Sequence, residues 1–274
     1  MELWKSVLMG LVQGLTEFLP VSSSGHLVLL RHFLHFNTES TVSFVVMLHL
    51  GTLLSILFVY HAKIRELASY TIIACPRGIR REGFRRMVWE DDRGRMVLFL
   101  IIGSIPTALI GILFKDVFEK LFSNVLCVSL ALIVTGTMLY TTKIVKSRAG
   151  KMNVKTALIV GCVQGLAIAP GISRSGSTIS AGVWAGLDRD AAADYSFLLS
   201  IPAVLGAVLL SLRDLSSLLE RDYLFLGSCF AVSFASGYMA LRMLLHFVRK
   251  GKFHIFAWYC WGLGILALAG ALME

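Results

Sequence analysis

The sequence predicts an all-α integral membrane protein, an inverted-topology repeat with six transmembrane helices and two re-entrant helical hairpins in a single membrane domain, 1–274. Three observations predict it. Of 274 residues, 56% are hydrophobic and only 16% charged, with a mean hydropathy of +0.75, whereas soluble domains carry about 25% charged residues. Six stretches free of Asp, Glu, Lys and Arg are each long enough to cross a bilayer. Two further segments, broken by Gly, Ser and Pro, repeat one another. Composition therefore excludes a disordered chain, a disulfide scaffold and a soluble fold.

In chain order, segment 1–41 is the first interrupted hairpin, followed by spans 42–61, 97–114 and 123–142. Segment 155–194 is the second hairpin, followed by spans 195–212, 223–241 and 253–273. A hydrocarbon core of roughly 30 Å needs about 20 helical residues, and each run lacks the polar–apolar alternation of a membrane β-strand. Backbone in lipid must satisfy itself, so these runs are helices. The start, Met1-Glu2-Leu3-Trp4-Lys5, lacks a basic leader and a small-residue cleavage site, which reads as a retained segment rather than a signal peptide.

The net charge of +9 reports topology rather than a nucleic-acid partner. Segments 62–96, 143–155 and 242–252 hold 18 of the 26 Lys and Arg, while 115–122 and 213–222 are balanced or slightly acidic. Positive-inside bias puts the three basic segments in the cytoplasm, where they also meet anionic lipid. Both hairpins then enter and leave on one side, the first from outside and the second from inside. Cys75, Cys127, Cys162, Cys229 and Cys260 are scattered and odd in number, as expected of free packing thiols.

The two hairpins align at a constant offset of 151 residues. Gly10-Leu11-Val12-Gln13-Gly14-Leu15 matches Gly161-Cys162-Val163-Gln164-Gly165-Leu166, and Val21-Ser22-Ser23-Ser24-Gly25 matches Ile172-Ser173-Arg174-Ser175-Gly176. With opposite directions of entry, repeat 1 (about 1–145) and repeat 2 (about 155–274) are inverted. Such architectures put their site where broken helices meet near the midplane.

Glu17 and His26 interrupt an apolar run, and a charge at the bilayer centre costs about 2.5–3.5 kcal/mol on insertion scales. They are expected to face a cavity, pair, or bind a metal. Pro20 ends a helix, Ser22, Ser23 and Ser24 supply hydroxyls, and Gly25 permits close backbone approach. If a helix restarts here, Ser23 and His26 share a face, with a hydroxyl near an imidazole base. In the second hairpin Gly171, Ser173, Arg174, Ser175, Gly176, Ser177 and Thr178 read as an anion cradle, with N–H groups at a helix start and a guanidinium fork. Phosphoryl transfer uses these parts. Glu17 with Gln13 offers oxygen ligands for Mg²⁺ or Ca²⁺. His49 reads as a hydrogen-bonded packing residue; Arg31, His32 and His35 as interfacial residues; Asp188, Asp190 and Asp194 as turn and cap residues.

Through Glu17-Phe18-Leu19-Pro20-Val21-Ser22-Ser23 and Pro170-Gly171-Ile172-Ser173-Arg174-Ser175-Gly176, the chain resembles the bacterial undecaprenyl-diphosphate phosphatase family linked with bacitracin resistance. The resemblance covers essentially the whole length. It implies removal of the terminal phosphate of a C55 polyprenyl diphosphate at the outer side of the plasma membrane, recycling the peptidoglycan carrier. It also implies Glu17, Ser23, His26 and Arg174 as catalytic residues. Ser22, Ser24, Gly25, Gly171, Ser173, Ser175, Gly176 and Thr178 join Arg174 as phosphate binders. The family's acidic motif falls here on Gln13 and Glu17; Gln13 removes one metal-binding charge, and Ser24 stands where many relatives have Thr. The lipid-phosphatase superfamily with a downstream histidine nucleophile fits poorly, because no His follows Ser173-Arg174 before His246. Ser23, His26 and water remain open as nucleophile. A polyprenyl-phosphate transporter or flippase using the same cradle is the alternative, and a homodimer is left open.

Overall fold

The computed structural model describes residues 3–33, 42–78, 91–145, 150–211 and 223–273; His35, the connection 213–222, and the side chain of Cys75 lie outside the described residues. Every named element within them is helical. The first hairpin is α1 (Leu3–Phe18) and α2 (Ser23–Phe33), parted at Leu19–Ser22 around Pro20. Then come α3 (Val42–Val59), α4 (His61–Gly78), α5 (Asp92–Leu113), α6 (Lys115–Leu121) and α7 (Val125–Thr141). The second hairpin is α8 (Val154–Leu166) and α9 (Arg174–Trp184), followed by α10 (Arg189–Ser211), α11 (Tyr223–Arg249), a 3₁₀ turn at Phe253–Ile255 and α12 (Phe256–Met273).

Local chemistry sets the starts. Asp91, Asn124, Asn153 and Ser173 each accept a backbone N–H at the head of α5, α7, α8 and α9, as capping side chains do. Among the described residues four helices are long and apolar enough to cross a membrane, and two bent pairs raise the number to six if each counts as one span. The expected span 42–61 is α3, which turns by 79° into α4, and the expected span 123–142 is α7, which follows α6 through a 99° bend. Three helices overrun their predicted ends: α5 begins at Asp92, α10 begins at Arg189 and α11 runs to Arg249. A charge-free criterion stops at the first charged residue, whereas a helix continues while the long side chain reaches the interface. Arg242 does so within α11, donating to Tyr238 Oη at 3.1 Å.

Contacts between ends report relative sidedness. Tyr60 Oη donates to Asp194 Oδ1 at 3.0 Å, Arg189 Nη2 to the Thr142 carbonyl at 3.4 Å, and Arg249 lies 3.8 Å from Asp190. Gly150 bridges Leu187. At the other end Ser6 and Ser228 share a 2.6 Å hydrogen bond, and Phe33 packs on Gly270. These pairings agree with the charge-derived topology: the ends of α3, α7 and α11 meet the start of α10 at one pole, and the starts of α1 and α11 meet at the other.

Each hairpin packs on the other half. α1 lies along α11 and α8 along α5, the middle spans of opposite repeats, while the last spans α7 and α12 pair with each other. The aligned glycines make this possible. A Cβ at Gly14 would stand 2.6 Å from the Ser233 carbonyl oxygen, and one at Gly161 would lie 2.8 Å from Pro106 Cγ and closer still to the Gly103 oxygen. Small residues let helix backbones approach where lipid provides no hydrophobic drive.

Candidate active site

The two tips overlap in the middle of the bundle. A Cβ on Gly25 would sit 3.2 Å from Gly171 Cα. Ser22, at a left-handed φ of 67°, turns its hydroxyl to accept both the Gly25 and the Gly171 N–H, each at 3.2 Å. Left-handed backbone is costly for a non-glycine residue, and here it yields one oxygen that ties the two hairpins together. Ser175 Oγ donates across to the Phe18 carbonyl at 2.9 Å. Thr135, from α7, donates to the Gly171 carbonyl at 2.9 Å and accepts the Ser173 N–H at 3.1 Å.

Inside this clasp Arg174 Nη2 meets Glu17 Oε1 at 2.9 Å, and both side chains are largely buried, at 15% and 10% exposure. Residues 157 apart in sequence thus form an ion pair at the head of α9 and the foot of α1. Glu17 Oε2 accepts Ser23 Oγ at 2.6 Å and Gln13 Nε2 at 3.0 Å. His49, on α3, has its Nδ1 engaged locally with the Val45 carbonyl at 2.9 Å. Among the described residues five buried side-chain atoms have no hydrogen-bond partner, and two of them are here: Arg174 Nη1 and Gln13 Oε1.

The pairing of Ser23 differs from the sequence expectation. A helix does restart at Ser23, yet the hydroxyl turns to Glu17, six residues back, while His26 bonds elsewhere. His26 Nδ1 meets the Ser22 carbonyl at 2.8 Å and Nε2 the Tyr259 hydroxyl at 2.7 Å. The break at Pro20 folds α1 back over the start of α2, so the carboxylate outcompetes the imidazole for the serine.

The expected phosphate cradle is partly consumed in holding the tips. Ser173 Oγ accepts the Gly176 N–H at 3.1 Å. Thr178 Oγ1 donates to the Arg174 carbonyl at 2.7 Å and shares a 2.6 Å bond with Ser196. Ser24 lies beside Ser22 at 3.3 Å and is only partly buried. What remains for an anion is Arg174 Nη1, together with the N–H groups of Ser23 and Ser24 at the head of α2 and of Arg174 and Ser175 at the head of α9, which have no intrahelical acceptor. Asp188 is a cap, accepting the Ala191 N–H at 2.8 Å; Asp194, half-buried, accepts from Tyr60 instead. Sequence reading missed Tyr259 and Thr135. Both lie in apolar spans, and only the tertiary fold brings them to the tips.

Among the described residues no group of three or more His, Cys, Asp or Glu could hold a metal. Gln13 Oε1 and the Glu17 carboxylate nevertheless fit a hard, oxygen-seeking cation, provided its other ligands come from a diphosphate.

Residues 6–266 match the family described as Bacitracin resistance protein BacA. A protein of Halothermothrix orenii named undecaprenyl-diphosphatase is 43% identical over 279 residues, covering 98% of this chain and 99% of its own. One of the same name from Desulforapulum autotrophicum is 42% identical over 278 residues, 98% of each chain. Another from Methanobrevibacter smithii is 38% identical over 276 residues, 99% of each.

Proposed function

Because the chain belongs to the bacitracin resistance protein family, we propose that it is an undecaprenyl-diphosphate phosphatase, a multi-pass membrane enzyme that releases the terminal phosphate of undecaprenyl diphosphate. The observation that carries the chemistry is Glu17, which at one carboxylate holds both the Arg174 guanidinium and the Ser23 hydroxyl.

In this reading the diphosphate enters between the tips and takes the free Nη1 of Arg174, a fork suited to phosphate oxygens. Glu17 accepts the Ser23 proton as Oγ bonds to the terminal phosphorus. The bridging P–O bond breaks and its electrons leave with undecaprenyl phosphate. Water then attacks the phosphoserine, losing a proton to His26, while Glu17 returns its proton to Ser23 Oγ and inorganic phosphate departs. A buried, preorganised cation supplies the largest share of such catalysis, because it acts where charge spreads over the transferring oxygens. A Mg²⁺ or Ca²⁺ ion would be held by Gln13 Oε1 and Glu17 and would neutralise diphosphate charge. The reading places the enzyme in the bacterial inner membrane, and positive-inside bias has the first hairpin entered from outside, hence an outward-opening site. A second copy of the chain is a further partner within this proposal. Carriage of the intact lipid, the rival reading, needs no hydroxyl bonded to a buried carboxylate.

The test is phosphate release from undecaprenyl diphosphate by purified protein. Arg174→Ala and Glu17→Gln should each lower turnover by about 100-fold or more, the scale of losing one preorganised transition-state contact. Wild-type turnover in both variants, or lipid movement across liposomes without released phosphate, would overturn the reading.

A further inference from the structure

The contacts of His26 fix more than its position. A carbonyl oxygen only accepts, so the 2.8 Å contact of Nδ1 with the Ser22 carbonyl requires Nδ1 to carry a hydrogen. In a neutral imidazole Nε2 is then the bare, basic nitrogen. The Tyr259 hydroxyl, 2.7 Å from Nε2, is accordingly the donor. The two rings are also stacked, with centroids 5.6 Å apart and planes within 6°. Tyr259 belongs to α12, on the far side of the sequence from α2, and is half-exposed, unlike the Glu17–Arg174 pair. The Ser22 carbonyl thus leaves His26 a single tautomer, and the Tyr259 hydroxyl on the remaining lone pair, with its ring lying along the imidazole, leaves it a single orientation.

The geometry points to Tyr259 as the positioning residue for His26: with the tautomer set by the Ser22 carbonyl, it fixes the direction of the Nε2 lone pair and stands in the place of the water that Nε2 later deprotonates. The inference rests on the hydrolase reading and extends it to a residue on the last helix. When water arrives, its O–H replaces that of Tyr259 at Nε2. Its proton passes to Nε2 as its oxygen bonds to the phosphoserine phosphorus. The imidazolium then has Nε2–H to donate, and the same tyrosine oxygen can accept it, since a phenol serves in both senses. One hydroxyl thus satisfies His26 before and after proton transfer, without any movement of the ring.

Tyr259→Phe keeps the stacked ring and removes only the hydroxyl. It should lower kcat about tenfold, a fraction of the 10²–10⁴ that a positioned base contributes, with KM within about twofold. The pH profile of kcat should shift along the same limb that His26→Gln abolishes, and Tyr259→Leu should be no better than Tyr259→Phe. A Tyr259→Phe enzyme with wild-type kcat and pH profile would overturn the inference, as would an equal fold-loss at every pH, the mark of a packing role alone. Wild-type protein that releases no phosphate would instead sink the hydrolase reading itself, so the two failures are distinguishable.

Discussion

Glu17 is an anion that the surrounding sequence gives no reason to tolerate: its neighbours Leu15, Phe18 and Leu19 are apolar, and its bilayer depth penalises charge. Its survival as a carboxylate depends on three donors, of which Arg174 at 2.9 Å is the charged one. Removing one member of a buried pair leaves the other uncompensated, at a cost of about 3–5 kcal/mol, whereas removing both costs much less. Glu17→Gln and Arg174→Gln should therefore each lower the thermal midpoint in detergent by several degrees. The double variant should recover part of that loss while remaining inactive. Additive losses in the double variant would mean that the two side chains are not energetically coupled. The same logic separates Ser23 from its neighbours: Ser22, Ser173 and Ser175 have structural acceptors or donors, while Ser23 alone among the tip serines gives its hydrogen to a carboxylate. Sequence showed which residues were anomalous, Glu17, His26 and Arg174. It could not show that Ser23 faces Glu17 rather than His26, since that depends on how α1 folds over α2 at Pro20.

The helices themselves were largely legible, because apolar runs without charges have few alternatives in lipid. The hairpin breaks were legible for a different reason: Pro20 and Gly171 stand where a plain span would continue, and the Gln-Gly repeats flank both. The bends after Val59 and before Val125, at 79° and 99°, were not, since the residues there read as ordinary span ends and loops. Nor was the exchange of partners, in which the first arm of each hairpin seats on the middle span of the other half. The aligned glycines carried that information without naming the partner. Gly161 faces the Gly103 oxygen and Pro106, while Gly206 and Gly262 have nothing within 4 Å of an added Cβ. Gly161→Val should thus push α8 off α5 at about 1–3 kcal/mol, the usual cost of overpacking. Gly262→Ala should be neutral or slightly stabilising, as expected of helical Gly replaced by Ala. Unfolding midpoints of the two variants in one detergent give the comparison, and equal midpoints would remove the close α5–α8 contact from the account.

At the scale of the molecule, the exchanged packing makes each half complete only with the other. α1 needs α11 and α8 needs α5, so the Glu17–Arg174 pair lies at a seam that neither repeat forms alone. The poles of the bundle follow from this arrangement: Tyr60, Thr142, Arg189 and Arg249 gather at one end, Ser6, Ser228 and Gly270 at the other. Geometry fixes which ends are together, and charge decides which pole is cytoplasmic. Segments 62–96, 143–155 and 242–252 hold 18 of the 26 basic residues, so positive-inside bias predicts that the pole shared by the helix ends next to them is cytoplasmic. Two exposed positions separate the alternatives: Ser123, before α7, and Lys250, after α11. In a cysteine-free background, Ser123→Cys should react with a membrane-impermeant maleimide in intact right-side-out vesicles. Lys250→Cys should react only after inversion or permeabilisation. The reverse pattern would turn the whole bundle over, so that the first hairpin entered from the cytoplasm, and the outward-opening site would go with it. The fold, the ion pair and the Ser23–Glu17 bond would stand unchanged, since none of them depends on which pole faces out.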